Sequence, residues 1–203
     1  MPTWLVIGML ALLLGLQPVT TDLYLPALPA LKDQLQASMA QSQLTLMALL
    51  LSFGCSQLVW GPLSDRWGRR PVLLAGLAAY VLAALGCALS QSMESLIAWR
   101  TVQGAAMGAG VMGARAVVRD LYAPVEGAHA MSRALTGLGI IACLSGPLGG
   151  LLASHLGWRA TMAALGCFGG LALLLILLRF EETLARPNPL ALHPAHLVRT
   201  WTQ

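Results

Sequence analysis

The chain has 203 residues, of which 57% are hydrophobic and only 10% are charged, and its formal net charge at pH 7 is +4. A soluble domain carries about 25% charged residues, so this composition excludes an ordinary soluble enzyme or binding domain. The apolar residues form long blocks, each close to the roughly 20 residues that a helix needs to cross a bilayer. The arginines border these blocks instead of forming one basic face, which argues against a nucleic-acid partner. The sequence therefore predicts an all-α, polytopic membrane protein embedded in a lipid bilayer.

Six membrane-spanning helices are predicted from the apolar blocks. In chain order they cover residues 4–25, 44–62, 72–89, 95–114, 135–154 and 158–178. The first block is longer than the apolar part of a secretory signal and has no positive charge before it. These features favour a span, although residues 27–30 weakly resemble a cleavage site. We divide the chain into a six-span unit, residues 1–179, and a linker or tail, residues 180–203, in which Pro187 and Pro189 interrupt any long helix. A short surface helix is expected near residues 196–201.

The segment GPLSDRWGRRP, residues 61–71, joins the second and third blocks. Gly68 permits a tight turn, and Pro71 suits the first turn of the next helix, where a missing N–H costs nothing. Three arginines and one aspartate leave this loop with a net charge of +2, which is typical of the cytoplasmic side of a membrane. The candidate functional residues of the loop are Gly61, Asp65, Arg66, Gly68, Arg69 and Arg70.

The distribution of Lys and Arg predicts the orientation of the chain. If the loop at residues 61–71 is cytoplasmic, the segment at residues 115–133 and the tail lie on the same side. That side then carries Arg66, Arg69, Arg70, Arg115, Arg119, Arg133, Arg179, Arg186 and Arg199. The opposite side carries only Lys32 and Arg159. This excess predicts that both termini are cytoplasmic.

The loop also carries a family resemblance. Read as G-x-L-x-D-R-x-G-R-R-x-x-L, residues 61–73 resemble the loop between helices two and three of major facilitator superfamily transporters, with every fixed position filled. The resemblance implies a transporter and not an enzyme, with a fold that is one half of a transporter built from two inverted three-helix repeats. It further implies that this loop locks the two halves together on the cytoplasmic side. Because only one half is present, we expect Asp65, Arg69 and Arg70 to be exposed, and Asp65→Ala to change the stability of the isolated chain little.

Asp22 is the only acid inside the first block. A carboxylate within the membrane is a functional candidate because its burial is costly. Its segment, DLYLPALP, resembles the end of helix one in the Bcr/CflA drug-resistance subfamily, whose members export drugs in exchange for protons. The resemblance implies that Asp22 couples the proton or attracts a cationic substrate. In the alternative interpretation Asp22 caps the helix among the outer headgroups, since Pro26 and Pro29 indicate that the helix ends nearby.

The fourth block contains RTVQGAAMGAG, which resembles the superfamily's helix-four motif R-x-x-Q-G at Arg100, Gln103 and Gly104. At about 1.5 Å per residue, Arg100 lies about 8 Å below the outer surface. Asp22 is expected at a similar depth, so an ion pair between these two residues is plausible. In the alternative interpretation the long Arg100 side chain reaches the outer headgroups. Gly104 and Gly108 predict close packing against a neighbouring helix.

The fifth block contains GLGIIACLSGPLGG, residues 137–150, which resembles the helix-five motif of antiporters. One residue, Leu148, separates Pro147 from Gly149, where the family usually has two. The candidate kink residues are Gly146, Pro147, Gly149 and Gly150. Such residues bend a helix and admit a close neighbour. The alternative is a general packing face of small residues.

No catalytic residue, cofactor or metal site is predicted. The cysteines occur singly, without a C-x-x-C spacing, and the chain contains neither a P-loop nor a G-x-S-x-G motif. The predicted function is proton-coupled efflux of drugs or other small amphipathic molecules across the bacterial inner membrane. This chain supplies the N-terminal half, which needs a C-terminal half or a second copy. Two alternatives stay open, namely a truncated, non-transporting fragment or interaction module, and a transporter for uptake of a small metabolite.

Overall fold

The computed structural model describes residues 2–184 and 188, and these residues fold into a bundle of helices. In chain order the helices are α1 (Thr3–Asp22), α2 (Leu28–Gln34), α3 (Met39–Trp67), α4 (Arg69–Leu89), α5 (Met93–Leu121), α6 (Pro124–Leu156) and α7 (Trp158–Arg179). A 3₁₀ turn, Leu25–Ala27, connects α1 to α2. All except the short α2 correspond to the six predicted spans.

Several helices extend beyond the apolar blocks that predicted them. Helix α3 runs past Pro62 to Trp67, and α6 begins eleven residues before the predicted span. The apolar blocks mark only the part of a helix that faces lipid or core, whereas a helix can continue through polar residues beyond it. The predicted loop at residues 61–71 is therefore mostly helical. Only Gly68 separates α3 from α4, and its φ of 103° is a conformation that glycine adopts without strain.

Short polar signals fix where the helices begin. The Ser38 hydroxyl accepts a hydrogen bond from the Gln41 backbone N–H at 3.1 Å, and the Gln41 side chain accepts one from the Ser38 N–H at 2.9 Å. This capping box starts α3. At the start of α5 the Ser92 hydroxyl accepts from the Ser95 N–H at 3.2 Å. Pro124 occupies the first turn of α6, where its missing N–H costs nothing.

The helix neighbours support the predicted pair of inverted repeats. Helix α1 packs against α6, α5 packs against α3, and α4 packs against α7. The first three spans are α1, α3 and α4, and the last three are α5, α6 and α7. If each span is replaced by its counterpart in the other set of three, the same three pairs of neighbours result. Such an exchange is the property of a transporter half built from two three-helix units.

Five of the described helices are long and apolar enough to cross a membrane by length and composition. Helix α5 is as long as α3 but carries charged residues along its length, and it falls outside this set. It packs most extensively against α3 and α4, so most of its surface contacts protein. The six-span prediction therefore holds for the number of long helices, with α5 as the polar one among them.

Helices α3 and α6 are the least buried of the five apolar helices. Large apolar side chains stand exposed on both, namely Met47, Leu51, Leu58 and Val59 on α3 and Leu135, Ile140, Leu144 and Leu151 on α6. Two helices of the bundle therefore present apolar surface away from its core. The end of the predicted tail, including Arg186, Arg199 and the expected surface helix at residues 196–201, lies outside the described residues.

Candidate functional site

A buried set of polar side chains, which we call the inner cluster, joins α1, α3, α4 and α5. Its members are Thr20, Tyr24, Thr45, Tyr80, Cys87, Arg100 and Gln103, and each is fully buried. Polar groups buried this deeply in a membrane bundle are costly unless they are partnered. The inner cluster is therefore the first candidate for function.

Arg100 is the central residue of the inner cluster. Its Nη1 donates a hydrogen bond to Gln103 Oε1 at 2.9 Å, because the two residues are three positions apart on one face of α5. The guanidinium carbon lies 4.0 Å from the centroid of the Tyr24 ring, a cation–π contact. Cys87 Sγ lies 3.9 Å from the same Gln103 oxygen. Arg100 is thus enclosed by an amide and a tyrosine ring, and it does not extend to the headgroups.

Hydrogen bonds between hydroxyl groups hold the cluster to its neighbours. The Tyr24 hydroxyl lies 2.7 Å from Thr45 Oγ1, which links the end of α1 to α3. The Tyr80 hydroxyl lies 2.6 Å from Thr20 Oγ1, which links α4 to α1. Thr45 in turn donates to the Ser42 carbonyl at 2.6 Å. The tyrosine that stacks on Arg100 is therefore held to α3 by Thr45, and a second pair of hydroxyl groups holds α1 to α4.

Asp22 lies at the C-terminal end of α1 and is half-buried. Its Oδ1 accepts a hydrogen bond from Thr21 Oγ1 at 3.1 Å. The predicted ion pair between Asp22 and Arg100 is absent from the ion pairs of residues 2–184. That expectation was wrong because Tyr24 and Gln103, not the acid, occupy the neighbourhood of the guanidinium.

The close packing predicted from the glycines of α5 is present along the contact with α3. A methyl group at Gly104 would collide with the Leu49 backbone carbonyl and with Ser52 Oγ. Further along, Trp60 Nε1 donates to the Ala105 carbonyl at 2.7 Å. We call this contact the α3–α5 seam. It sets the distance between the two helices that carry Thr45 and Arg100.

A second polar group, which we call the junction cluster, surrounds Gly68 at the α3–α4 junction. Its members are Ser64, Asp65, Arg69, Asp120 and Glu182. Arg69 Nη1 donates to Asp65 Oδ1 at 2.7 Å and to Ser64 Oγ at 3.0 Å. Its Nε and Nη2 donate to the two oxygens of Asp120 at 2.8 and 3.4 Å. This second arginine is saturated by two carboxylates and a hydroxyl.

The expectation that the charges of this loop are exposed was wrong for Arg69, whose exposed fraction is only 2%. The carboxylates come from α3 and from the far end of α5, so the bundle itself supplies the partners of Arg69. Asp65 is more open, with 42% of its side chain exposed. Arg70 is half-buried and donates from Nη2 to the Leu177 carbonyl at 3.0 Å. Arg66 is exposed, and Gly61 lies inside α3.

Glu182 from the tail caps the start of α4. Its two carboxylate oxygens accept hydrogen bonds from the backbone N–H groups of Arg69 and Arg70 at 2.8 and 3.0 Å. A side chain at Gly68 would collide with this carboxylate. The first N–H groups of a helix lack partners within the helix and attract negative charge. The beginning of the tail is therefore attached to the junction cluster.

The predicted kink residues of α6 differ from one another in the structure. Pro147 lies inside a helix that continues from Pro124 to Leu156. A methyl group at Gly149 would collide with the backbone of Leu23, so α1 and α6 approach closely there. Among the described residues, no atom lies within 4 Å of a methyl group placed on Gly146 or Gly150. In this part of the chain, Gly149 is the one of the three glycines that close packing requires.

Sequence reasoning missed the two tyrosines of the inner cluster and the two acids of the junction cluster that lie outside the loop. Tyr24 stands in the DLYLPALP segment, two residues after Asp22, so it was near a recognisable pattern. Tyr80 and Glu182 gave no local signal, because their partners are distant in sequence. Within the described residues no group of three or more His, Cys, Asp or Glu side chains could hold a metal ion.

Comparisons with known proteins show what the chain is similar to. The family model described as Major Facilitator Superfamily matches residues 10–203. The chain is 42% identical to a chloramphenicol resistance protein of Pseudomonas aeruginosa over 146 residues, which are 71% of this chain and 35% of that protein. It is 31% identical over 191 residues to a bicyclomycin resistance protein homolog of Haemophilus influenzae, covering 94% of this chain and 48% of that protein.

A solved structure shares the fold at low sequence identity. The proton:xylose symporter XylE superposes with a TM-score of 0.77 at 15% identity, covering 89% of this chain and 45% of that one. This likeness concerns the fold alone. The chain spans about a third to a half of the length of the curated relatives named above.

Proposed function

This chain belongs to the Major Facilitator Superfamily, a family of transporters and not of enzymes, and from that premise we propose that it is the N-terminal half of a proton-coupled drug exporter of the Bcr/CflA type. The exported molecules are drugs or other small amphipathic compounds, and the exchange partner is the proton. The names of the two relatives support drug resistance as the activity. The observation that carries the proposal is the inner cluster, a fully buried arginine and glutamine beside the end of the helix that carries Asp22.

The exposed helices support the need for a second half. Transporters of this architecture move substrate between two rigid halves that rock about a shared site. Helices α3 and α6 present apolar surface outward, and a second six-helix unit would cover it. That unit is a C-terminal half or a second copy of this chain. One half alone has no opposing wall, so we expect the isolated chain not to transport.

The membrane and the orientation belong to the same proposal. Nine arginines lie on one side of the membrane in the predicted topology, and two basic residues lie on the other side. We therefore place both termini in the cytoplasm and the protein in the bacterial inner membrane. The junction cluster then lies on the cytoplasmic side, where it would hold the ends of α3, α4 and α5 together during the transport cycle.

Asp22 is the proposed proton carrier. It is half-buried at a helix end. In the proposed cycle, one conformation of the two halves exposes it to water and another shields it from water. An acid that moves between such environments binds a proton in the drier one. Arg100 and Gln103 would then contact the substrate or respond to the charge on Asp22.

The test uses this chain joined to a C-terminal half, in inside-out membrane vesicles with an imposed proton gradient. We expect drug accumulation that saturates with drug concentration and stops when an uncoupler is added. Asp22→Asn should abolish it at unchanged protein level, while Asp33→Asn, which alters an exposed acid on α2, should leave it intact. Export that persists in Asp22→Asn would remove Asp22 from the mechanism.

Other outcomes decide between the alternatives. Gradient-driven movement of a metabolite in the opposite direction would indicate an uptake transporter. No movement in any vesicle would favour the interaction module. Saturable, uncoupler-sensitive transport by the purified chain alone in proteoliposomes would show a homodimeric transporter and contradict the requirement for another half.

A further inference from the structure

One edge of the Arg100 guanidinium has no partner. Nη1 is bonded to Gln103, but Nε and Nη2 are buried and have no hydrogen-bond acceptor among the described residues. No carboxylate in that part of the chain lies within ion-pair distance of Arg100, since the recorded ion pairs involve only Arg69 and Arg119. Among the described residues, this fully buried cation therefore has two donor nitrogens without a partner and no counter-charge.

Such an arrangement is energetically unfavourable without a further ligand. Removing a cation from water costs several kcal/mol in a protein unless an opposite charge and hydrogen bonds compensate. The Tyr24 ring and the Gln103 amide offset part of this cost, with about 2 kcal/mol the usual value for a desolvated cation–π contact. Neither group supplies negative charge. Arg100 thus lacks one negative counter-charge, and the unpartnered Nε and Nη2 show on which side of the guanidinium it is missing.

The geometry of the free edge specifies the kind of anion. Nε and Nη2 are adjacent donors whose N–H bonds point in parallel. That fork matches the two oxygens of a carboxylate and gives two parallel hydrogen bonds. The same fork is occupied at Arg69, whose Nε and Nη2 bind the two oxygens of Asp120. A spherical anion such as chloride satisfies the charge but not the paired geometry.

We propose that the Nε–Nη2 edge of Arg100 binds one carboxylate group of a small-molecule ligand. The inner cluster would thus accept compounds with an acidic group, such as a small organic acid or an amphipathic molecule with a carboxylate end. The proposal lies within the cluster that transport is proposed to use. It concerns equilibrium binding, however, and is tested without a gradient or a second half. Failure of binding and failure of transport are therefore distinguishable.

The experiment measures the thermal stability of the purified full chain in detergent while formate replaces chloride at constant ionic strength. Formate is the smallest carboxylate and reaches an enclosed site most readily. We expect a saturable rise in Tm, of about 5–10 °C at a hundredfold excess over the dissociation constant. The same Tm in formate and chloride would overturn the proposal.

Two variants separate the site from a general salt effect. Arg100→Lys keeps the charge but removes the fork, so the formate shift should fall at least threefold. Gln103→Glu places a carboxylate where an amide oxygen now lies 2.9 Å from Nη1. It should raise Tm in chloride and weaken the response to formate, because it supplies the missing negative charge although the Nε–Nη2 edge stays open. Gln57→Glu, on a half-buried position of α3, is the matched control and should keep the full shift.

Each outcome of these measurements either supports or contradicts the proposed carboxylate site. A formate shift as large in Gln103→Glu as in the wild type would overturn the proposal, even if Arg100→Lys fails to fold. Asp22→Asn tests whether a carboxylate of this chain fills the edge instead. We expect the formate shift of Asp22→Asn to equal that of the wild type. A shift seen only in Asp22→Asn would mean that Asp22 itself occupies the edge, which contradicts a ligand site.

Discussion

The chain buries two arginines almost completely, and their surroundings are opposite. Arg69 is bonded to Asp65, Asp120 and Ser64. Arg100 has one amide, one tyrosine ring and two unpartnered nitrogens. A buried charge that is fully paired holds elements together, whereas a buried charge without a counter-charge is retained for another reason. The comparison separates a cluster that is fully paired from the one that we propose to be functional.

Helix α5 connects the two clusters. It carries Arg100 near its beginning and Asp120 near its end, about 30 Å apart at 1.5 Å per residue. Helix α3 also contributes to both, through Thr45 at one end and Asp65 at the other. A change in the spacing of α3 and α5 at the seam is therefore expected to alter the surroundings of both arginines. The two clusters differ in chemistry but share their scaffold.

The largest effect on stability is expected from Arg69→Met. It leaves the mostly buried Asp120 carboxylate, whose side chain is 14% exposed, without its partner. Breaking such a pair costs about 3 kcal/mol or more, and for a chain of this size 1 kcal/mol corresponds to about 2–4 °C in Tm. Thermal unfolding of the purified chain in detergent measures the loss. Arg66→Met, at an exposed position, should stay within about 0.5 kcal/mol, and an equal loss in both variants would contradict the structural role of Arg69.

A smaller effect is expected from Gly104→Ala, which tests whether both clusters depend on the α3–α5 seam. The added methyl group meets the Leu49 carbonyl, and such overpacking costs about 1–3 kcal/mol. The control is Gly54→Ala on α3, where nothing lies within 4 Å. Removing a helix glycine there should be neutral or stabilise the chain by about 0.5–1 kcal/mol. If the two variants unfold at the same temperature, the seam is not tight.

Tyr24→Phe is expected to cost about 1 kcal/mol, the usual contribution of one buried hydrogen bond. It removes the bond to Thr45 but keeps the ring over Arg100. Tyr24→Leu removes both and should lower Tm further. Unfolding curves of the two variants give the contribution of the ring by difference. If Leu is tolerated as well as Phe, the cation–π contact does not stabilise Arg100.

The sequence predicted the cluster residues that belong to local motifs, but it did not predict their partners, which lie far away in the chain. Six helices followed from apolar length, and Gly68, Arg69, Arg100 and Gln103 followed from local motifs. The partners did not, because Asp120 is 51 positions from Arg69 and Tyr24 is 76 positions from Arg100. Such pairs form only when helices pack. The absence of a second half led to the expectation that Arg69 is exposed, and similar depth led to the expectation that Arg100 pairs with Asp22. Both errors arose because the helix neighbours are not known from the sequence.

The smallest effect on stability is expected from Arg100→Met, and it is the sharpest test of the contrast between the two arginines. Methionine has a similar length and no charge to desolvate, so the cost of burying an unpaired cation disappears. The lost bond to Gln103 and the lost stacking on Tyr24 oppose that gain. We expect the unfolding free energy in chloride to remain within about 1 kcal/mol of wild type, while transport in the joined protein is abolished. The same substitution would then cost several times more at Arg69. A loss at Arg100 as large as at Arg69 would mean that Arg100 is held by a partner within the fold, and the division into a structural and a functional arginine would fail.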